Sequence, residues 1–175
     1  HFVRRRQRQM CIRDSDEQES KLLHSLFLDI REGTLKGVSM AETLRQSTRL
    51  MHPQFRNIHN KIFGGYLMRE AFELAWNITY LFCGHRPHFL SVDHMYFYEP
   101  VEIGSILSFT GQVIYTSPRA LMVEVTVEVI DPASGITEVT NVSYFTFTVL
   151  DKAGNSLKIN QVLPESYEEG LKYLD

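Results

Sequence analysis

Apolar residues recur at spacings of four and three through the middle of the chain. Leu67, Ala71, Leu74, Ile78 and Leu81 form one stripe, and Met68, Phe72, Trp76 and Tyr80 form a second. This periodicity predicts a helix from Gly65 to Phe82, ended by Gly84 and Pro87. Because it is apolar on two faces, the helix is expected to be wrapped by other structure. Downstream the period changes to two. Phe89 to Phe97 is one candidate strand, and Leu107, Phe109, Val113 and Tyr115 alternate with Ser108, Thr110 and Gln112 in a second. Leu121, Val123, Val125, Val127 and Val129 alternate with Glu124, Thr126 and Glu128 in a third, and Val139 to Leu150 is a fourth. Asp131-Pro132-Ala133-Ser134-Gly135 reads as the turn between the last two. Upstream, Glu42 to Met51 reads as a first strand, stopped by His52-Pro53. Before it, Leu22, Leu26 and Ile30, flanked by Leu23 and Phe27, predict a short amphipathic helix that Gly33 ends. Residues 33–40 look like a connector.

One long helix and about five neighbouring strands give an α+β domain, with a curved antiparallel sheet around a central helix. One face of the sheet is expected to be solvated. The length of 175 residues, 43% of them hydrophobic and 22% charged, suits one domain with flanking segments. A net charge of -3 offers no basic field for nucleic acid. No apolar run approaches the roughly 18 to 20 residues that span a bilayer, so no membrane span is expected.

The first segment stands apart. The chain opens on His1, and Phe2-Val3-Arg4-Arg5-Arg6-Gln7-Arg8 is basic enough for a transit segment or a disordered tail. However, Gln9-Met10-Cys11-Ile12-Arg13-Asp14-Ser15 resembles a translated transposase mosaic-end adaptor. Residues 1–15 are therefore expected to be an assembly scar, with the authentic chain starting near Asp16. Cys83 is then the one remaining cysteine, which leaves no intrachain disulfide or thiolate metal site and points to a reducing compartment.

Candidate chemistry concentrates where a polar segment, Asn57-Ile58-His59-Asn60-Lys61-Ile62-Phe63, runs into Gly64-Gly65 and the long helix. Paired glycines allow close approach of the backbone, and a helix start offers N–H donors and the positive end of a dipole. A carbonyl or anion would be well received there. Asn57 could equally cap a turn. Glu73, four residues after Arg69, could form an ion pair, and Glu70 a solvated or interface charge. Asp93, within an apolar strand, could hydrogen-bond the loop. His52, His59, His85, His88 and His94 match no zinc spacing, so no metal is expected.

Several stretches carry a family likeness. They are Arg56-Asn57-Ile58-His59-Asn60-Lys61-Ile62-Phe63-Gly64-Gly65, Ala71-Phe72-Glu73-Leu74-Ala75-Trp76, Val92-Asp93 and Glu99-Pro100-Val101-Glu102-Ile103-Gly104-Ser105. With Asn141-Val142 and Phe145-Thr146-Phe147 they resemble hot-dog acyl-CoA thioesterases, and within these the acyl-coenzyme A thioesterase 9 group. The likeness runs from about residue 20 to Asp175. It implies a mitochondrial double hot-dog enzyme of which this chain is the C-terminal half. On that basis residues 16–40 are an interdomain linker with a short helix, 41–155 the hot-dog domain and 156–175 a C-terminal tail.

The implied activity is hydrolysis of fatty acyl-CoA to free acid and coenzyme A, with no cofactor beyond coenzyme A as part of substrate and product. Thioester hydrolysis needs a water activated by a base, a polarised carbonyl and donors for the oxyanion. In relatives an Asn lies seven residues before the first glycine of the pair, where this chain has Asn57. Gly64 and Gly65 match the substrate-binding helix start, with the Gly65 N–H as carbonyl donor. Arg56 and Lys61, with Arg86 and Arg119, are basic candidates for coenzyme A phosphates. The family's helix carboxylate falls seven residues after the second glycine, and here that residue is Phe72. Either Glu73 substitutes through a shifted helix, or a partner domain supplies the group. The partners implied are acyl-CoA and a second hot-dog domain, from the missing half or another subunit, within a homo-oligomer. Two other readings stay open: a non-catalytic module for acyl-CoA binding or dimerisation, and hydratase or dehydratase chemistry.

Overall fold

A computed structural model describes residues 18–62, 64–97 and 100–174; the segment read as a scar lies outside them, as do Phe63 and Glu99. The chain begins with a helix over 18–31 (α1), then β1 (Val38–Ser39), α2 (Met40–Thr43) and β2 (Arg45–Leu50). A 3-10 turn at Pro53–Phe55 leads to the long helix α3 (Gly64–Cys83). Four strands follow: β3 (Pro87–Phe97), β4 (Ile106–Thr116), β5 (Leu121–Ile130) and β6 (Thr137–Val149). The chain closes with β7 (Val162–Leu163) and α4 (Tyr167–Leu174).

The main sheet has five strands in the order β2-β4-β5-β6-β3, and every neighbouring pair is antiparallel. Alternation in β5 does what the sequence implies. Val123, Val125 and Val127 are buried with β4 and β6 residues Phe109, Val113, Phe145 and Phe147, and α3 adds Leu67, Ala71, Ala75 and Ile78 to the same core. Each fully buried aliphatic or phenylalanine side chain contributes about 1.5–3 kcal/mol. Small residues set the helix close to the sheet. A Cβ at Gly111 would lie 2.5 Å from Ile78 Cδ1, so a larger residue at that point on β4 would displace the Ile78 side chain of α3.

Three expectations need correction. The first strand starts later than Glu42, because Ser39 caps a helical turn by accepting a hydrogen bond from the Ala41 N–H. Thr43 closes that turn: its hydroxyl donates to the Met40 carbonyl and accepts the Val113 N–H at 3.0 Å. The central helix is not wrapped all round. The sheet covers one side, while Met68 (40%), Tyr80 (46%) and Leu81 (66%) stay exposed. Five strands curl around only part of a helix about 10 Å across.

The other face of the sheet is not simply solvated. Residues 156–175, expected as a tail, return along it. β7 pairs with β1 in parallel, and Thr116 accepts the Val162 N–H at 2.9 Å. From α4, Glu169 accepts from Gln112 and Lys172 pairs with the buried carboxylate of Glu124. The α1 stripe is partnered as well. Leu23 is 2% exposed, with Leu26, Phe27 and Ile30 half-buried beside it, whereas Leu22 at 57% lies at the margin of the stripe. Leu23 and Phe27 fit against Gly170, where an added Cβ would lie 2.4 Å from Leu23 Cδ2.

Candidate active site

The loop before α3 is built by short-range hydrogen bonds. Met51 is fully buried; its N–H donates to the Ser105 carbonyl at 2.9 Å, and its carbonyl accepts from Gly104 at 2.8 Å. After the 3-10 turn, Arg56 and Ile62 form an antiparallel bridge, and Ile62 donates to the Val101 carbonyl at 2.9 Å. Between them the chain reverses. Asn57 N–H donates to the Lys61 carbonyl at 2.7 Å, and Asn60 takes a left-handed φ of 57° that asparagine tolerates.

Asn57 therefore does cap a turn. Its Oδ1 accepts the His59 N–H at 2.9 Å and the Lys61 N–H at 3.1 Å. Two backbone donors fix which end of the amide is oxygen, and they occupy both of its lone-pair directions. The group Asn57 has to offer a ligand is its NH₂, a donor. Of the two chemical roles open to the residue, polarising a carbonyl matches that end of the amide better than accepting from a water.

Gly64 and Gly65 form the first turn of α3, where backbone N–H groups have no intrahelical acceptor, and Gly65 is exposed. Tyr66 follows directly. Its ring stacks on Phe55 at 3.8 Å and 12°, and burial together with the nearby Glu70 charge pushes the phenol pKa up. Arg49 on β2 donates to Glu70 at 3.0 Å. Of these four residues the sequence pointed only to Glu70, as a solvated or interface charge; its four-residue spacing from Tyr66 was the one further signal.

Phe72 and Glu73, at and just after the expected position of a helix carboxylate, have different surroundings. Phe72 meets Phe89 at 5.4 Å, Phe147 at 5.8 Å and Phe145 at 5.9 Å, an aromatic cluster against β3 and β6. Glu73, about 100° further round, points to solvent and accepts from Arg69 at 2.9 Å, the exposed ion pair of its alternative reading. It also stands eight residues beyond Gly65, roughly 12 Å of helix rise. Lys61 reaches the Glu102 carboxylate, so its charge is already partnered. Arg56 is exposed beside the loop. Asp93 is exposed on β3 and accepts from Ser91 at 3.2 Å. No group of three or more metal-ligating side chains occurs among the described residues.

No established family model matches the chain. Individual proteins do. Over 168 residues it is 36% identical to acyl-coenzyme A thioesterase 10, mitochondrial, of Mus musculus, spanning 90% of this chain and 37% of that protein. Acyl-coenzyme A thioesterase 9, mitochondrial, of Homo sapiens is 36% identical over the same shares. An acyl-CoA hydrolase from Staphylococcus aureus, solved with butyryl coenzyme A, coenzyme A and coenzyme A disulfide, superposes with a TM-score of 0.73. Its identity is 30%, over 77% of this chain and 82% of that one. The chain belongs to the hot-dog acyl-CoA thioesterases. It spans little more than a third, 37%, of the length of the mammalian relatives. Within this family the five-stranded antiparallel sheet around α3 is the hot-dog domain, and Gly64-Gly65 is the start of its central helix.

Proposed function

We propose that this chain supplies the carbonyl-binding half of an acyl-CoA thioesterase site, and that the general base comes from a second hot-dog domain. The observation that carries the reading is the state of Asn57, with its oxygen held by two backbone N–H groups and its NH₂ left to donate. That donor and the Gly65 N–H would receive the thioester oxygen and the negative charge that develops on it. A water deprotonated by the base adds to the carbonyl carbon. The C–S bond then breaks, and coenzyme A leaves as a thiol with the proton returned to sulfur. The products are free acid and coenzyme A.

Phe72 and Glu73 support a second domain, since the first is packed among aromatic rings and the second faces solvent. Strand β3 could receive that domain. It lies at the sheet edge, paired with β6 alone, and carries exposed Phe89, Leu90 and Val92. Whether the second domain lies in the same chain or another, assembly is in keeping with relatives such as a hexameric acyl-CoA thioesterase 25% identical to this chain, TM-score 0.73. Coenzyme A thioesters are the substrate class, as in the Staphylococcus aureus complex. The mammalian relatives' names support a mitochondrial location.

In the complete protein, Asn57→Ala is expected to lower the rate of free-thiol release by about 10²- to 10³-fold, the usual cost of one oxyanion donor, without loss of folding. Unchanged turnover would end the assignment. Phe72 also favours a second reading, a non-catalytic module that binds acyl-CoA or dimerises. Acyl-CoA binding by calorimetry with no thiol release from the complete protein would establish it. Hydration of an enoyl-CoA without thiol release would point to hydratase chemistry instead.

A further inference from the structure

The Asn57 turn and the Gly65 amide belong to different elements, so something must hold them in register. On one side the turn is tied to residues 101–105, through Met51 with Gly104 and Ser105, Ile62 with Val101, and Lys61 with Glu102. On the side of the helix, Phe55 stacks on Tyr66. Phe55 lies two residues before Asn57, and Tyr66 lies one residue after Gly65. The stack therefore joins two rings that are close in sequence to the two donors. At 3.8 Å and 12° it is a close parallel contact, and it limits sliding and tilting of the turn across the helix start.

The same helix face is tied to the sheet one turn further on. Glu70, whose charge lies close enough to act on the Tyr66 phenol, accepts from Arg49 Nε at 3.0 Å. The Glu70 side chain is 17% exposed, and Arg49 stands on β2, the strand that leads into the loop. The start of α3 is therefore fixed to β2 through Glu70 and to the loop through Tyr66 and Phe55. None of these side chains has a part in the chemistry proposed above.

We infer that Tyr66 is a positioning residue, which through its stack on Phe55 sets the Asn57 NH₂ relative to the Gly65 N–H. The inference rests on the thioesterase reading. An oxyanion site depends on donor placement to a fraction of an ångström, and misplacement is felt in the chemical step more than in substrate binding.

The test is steady-state thiol release from acyl-CoA by the complete protein. Tyr66→Leu is expected to lower kcat about tenfold, with KM and Tm nearly unchanged. Tyr66→Phe keeps the stack, so its kcat is expected to stay close to wild type and well above that of Tyr66→Leu. Phe55→Leu breaks the same stack from the other side and decides the matter if Tyr66→Leu does not fold. The double variant should be no slower than the slower single variant. A role in folding alone would lower Tm and leave kcat per folded molecule intact, which would overturn the inference, as would losses that multiply in the double variant. Full-speed Tyr66→Leu and Phe55→Leu beside an inactive Asn57→Ala would overturn the positioning role and leave the catalytic reading standing. An active Asn57→Ala would overturn both.

Discussion

If position 72 lacks a carboxylate because its surroundings reject one, restoring the family residue should harm the protein. Phe72 touches three rings at 5.4–5.9 Å, and two of these, Phe145 and Phe147, are at most 1% exposed. Deleting a buried phenylalanine costs about 3–5 kcal/mol, and the half-buried Phe72 belongs at the lower end. Placing a carboxyl group among those rings adds about 1–3 kcal/mol without a partner. Phe72→Asp should therefore lose about 4–6 kcal/mol, a large share of the 5–15 kcal/mol that holds a typical domain. Phe72→Leu keeps an apolar side chain and should lose about 1–2 kcal/mol. Urea unfolding at constant m-value reads the difference directly.

The pH dependence gives the sign. A desolvated aspartate has a folded-state pKa above its unfolded value of about 3.9. Its favourable state is the protonated one, so the gap between Phe72→Asp and wild type should widen as pH rises through and beyond that value. Thiol release should not increase. A Phe72→Asp protein as stable as Phe72→Leu at neutral pH, or one that gains turnover, would refute the reasoning and return the base to this helix.

Two further outcomes test the packing. Gly170→Ala should push Leu23 and Phe27 off α4, because its new Cβ has 2.4 Å to the nearest atom. The expected cost is about 1–3 kcal/mol, with faster amide exchange in residues 18–31 than elsewhere; uniform exchange would count against a docked α1. Burial pushes the Cys83 thiol up to about 11, so at pH 8 only about one molecule in a thousand carries the thiolate. Alkylation should be slow in the folded protein and speed up sharply in denaturant, and equal rates would place Cys83 outside the packed helix.

Much of the architecture was readable from period alone. The stripe through Leu67, Ala71 and Ile78 and the alternation through Val123, Val125 and Val127 have one solution each, a helix laid on a sheet, and both appear as expected. The Asn57-to-Gly65 loop was also visible, because a turn-forming segment before paired glycines is a local signal. What period could not show was how far round the helix the sheet would reach. Met68, Tyr80 and Leu81 look like core residues in sequence and are exposed in the chain, since hydrophobicity marks a surface that is to be covered and does not say by what.

How the ends of the chain pack was not legible for a related reason. Leu23 and Gly170 are separated by most of the sequence, and neither is notable until tertiary folding brings them together. The same holds for the site. The sequence determined that this chain carries an amide, a glycine pair at a helix start, and a phenylalanine at the position where relatives carry an acid. Only the tertiary structure decided which end of Asn57 is left to donate, that Phe72 is packed among rings, and that Glu73 faces away. Local spacing places residues along an element, whereas the direction of a side chain and the company it keeps depend on contacts between elements distant in sequence.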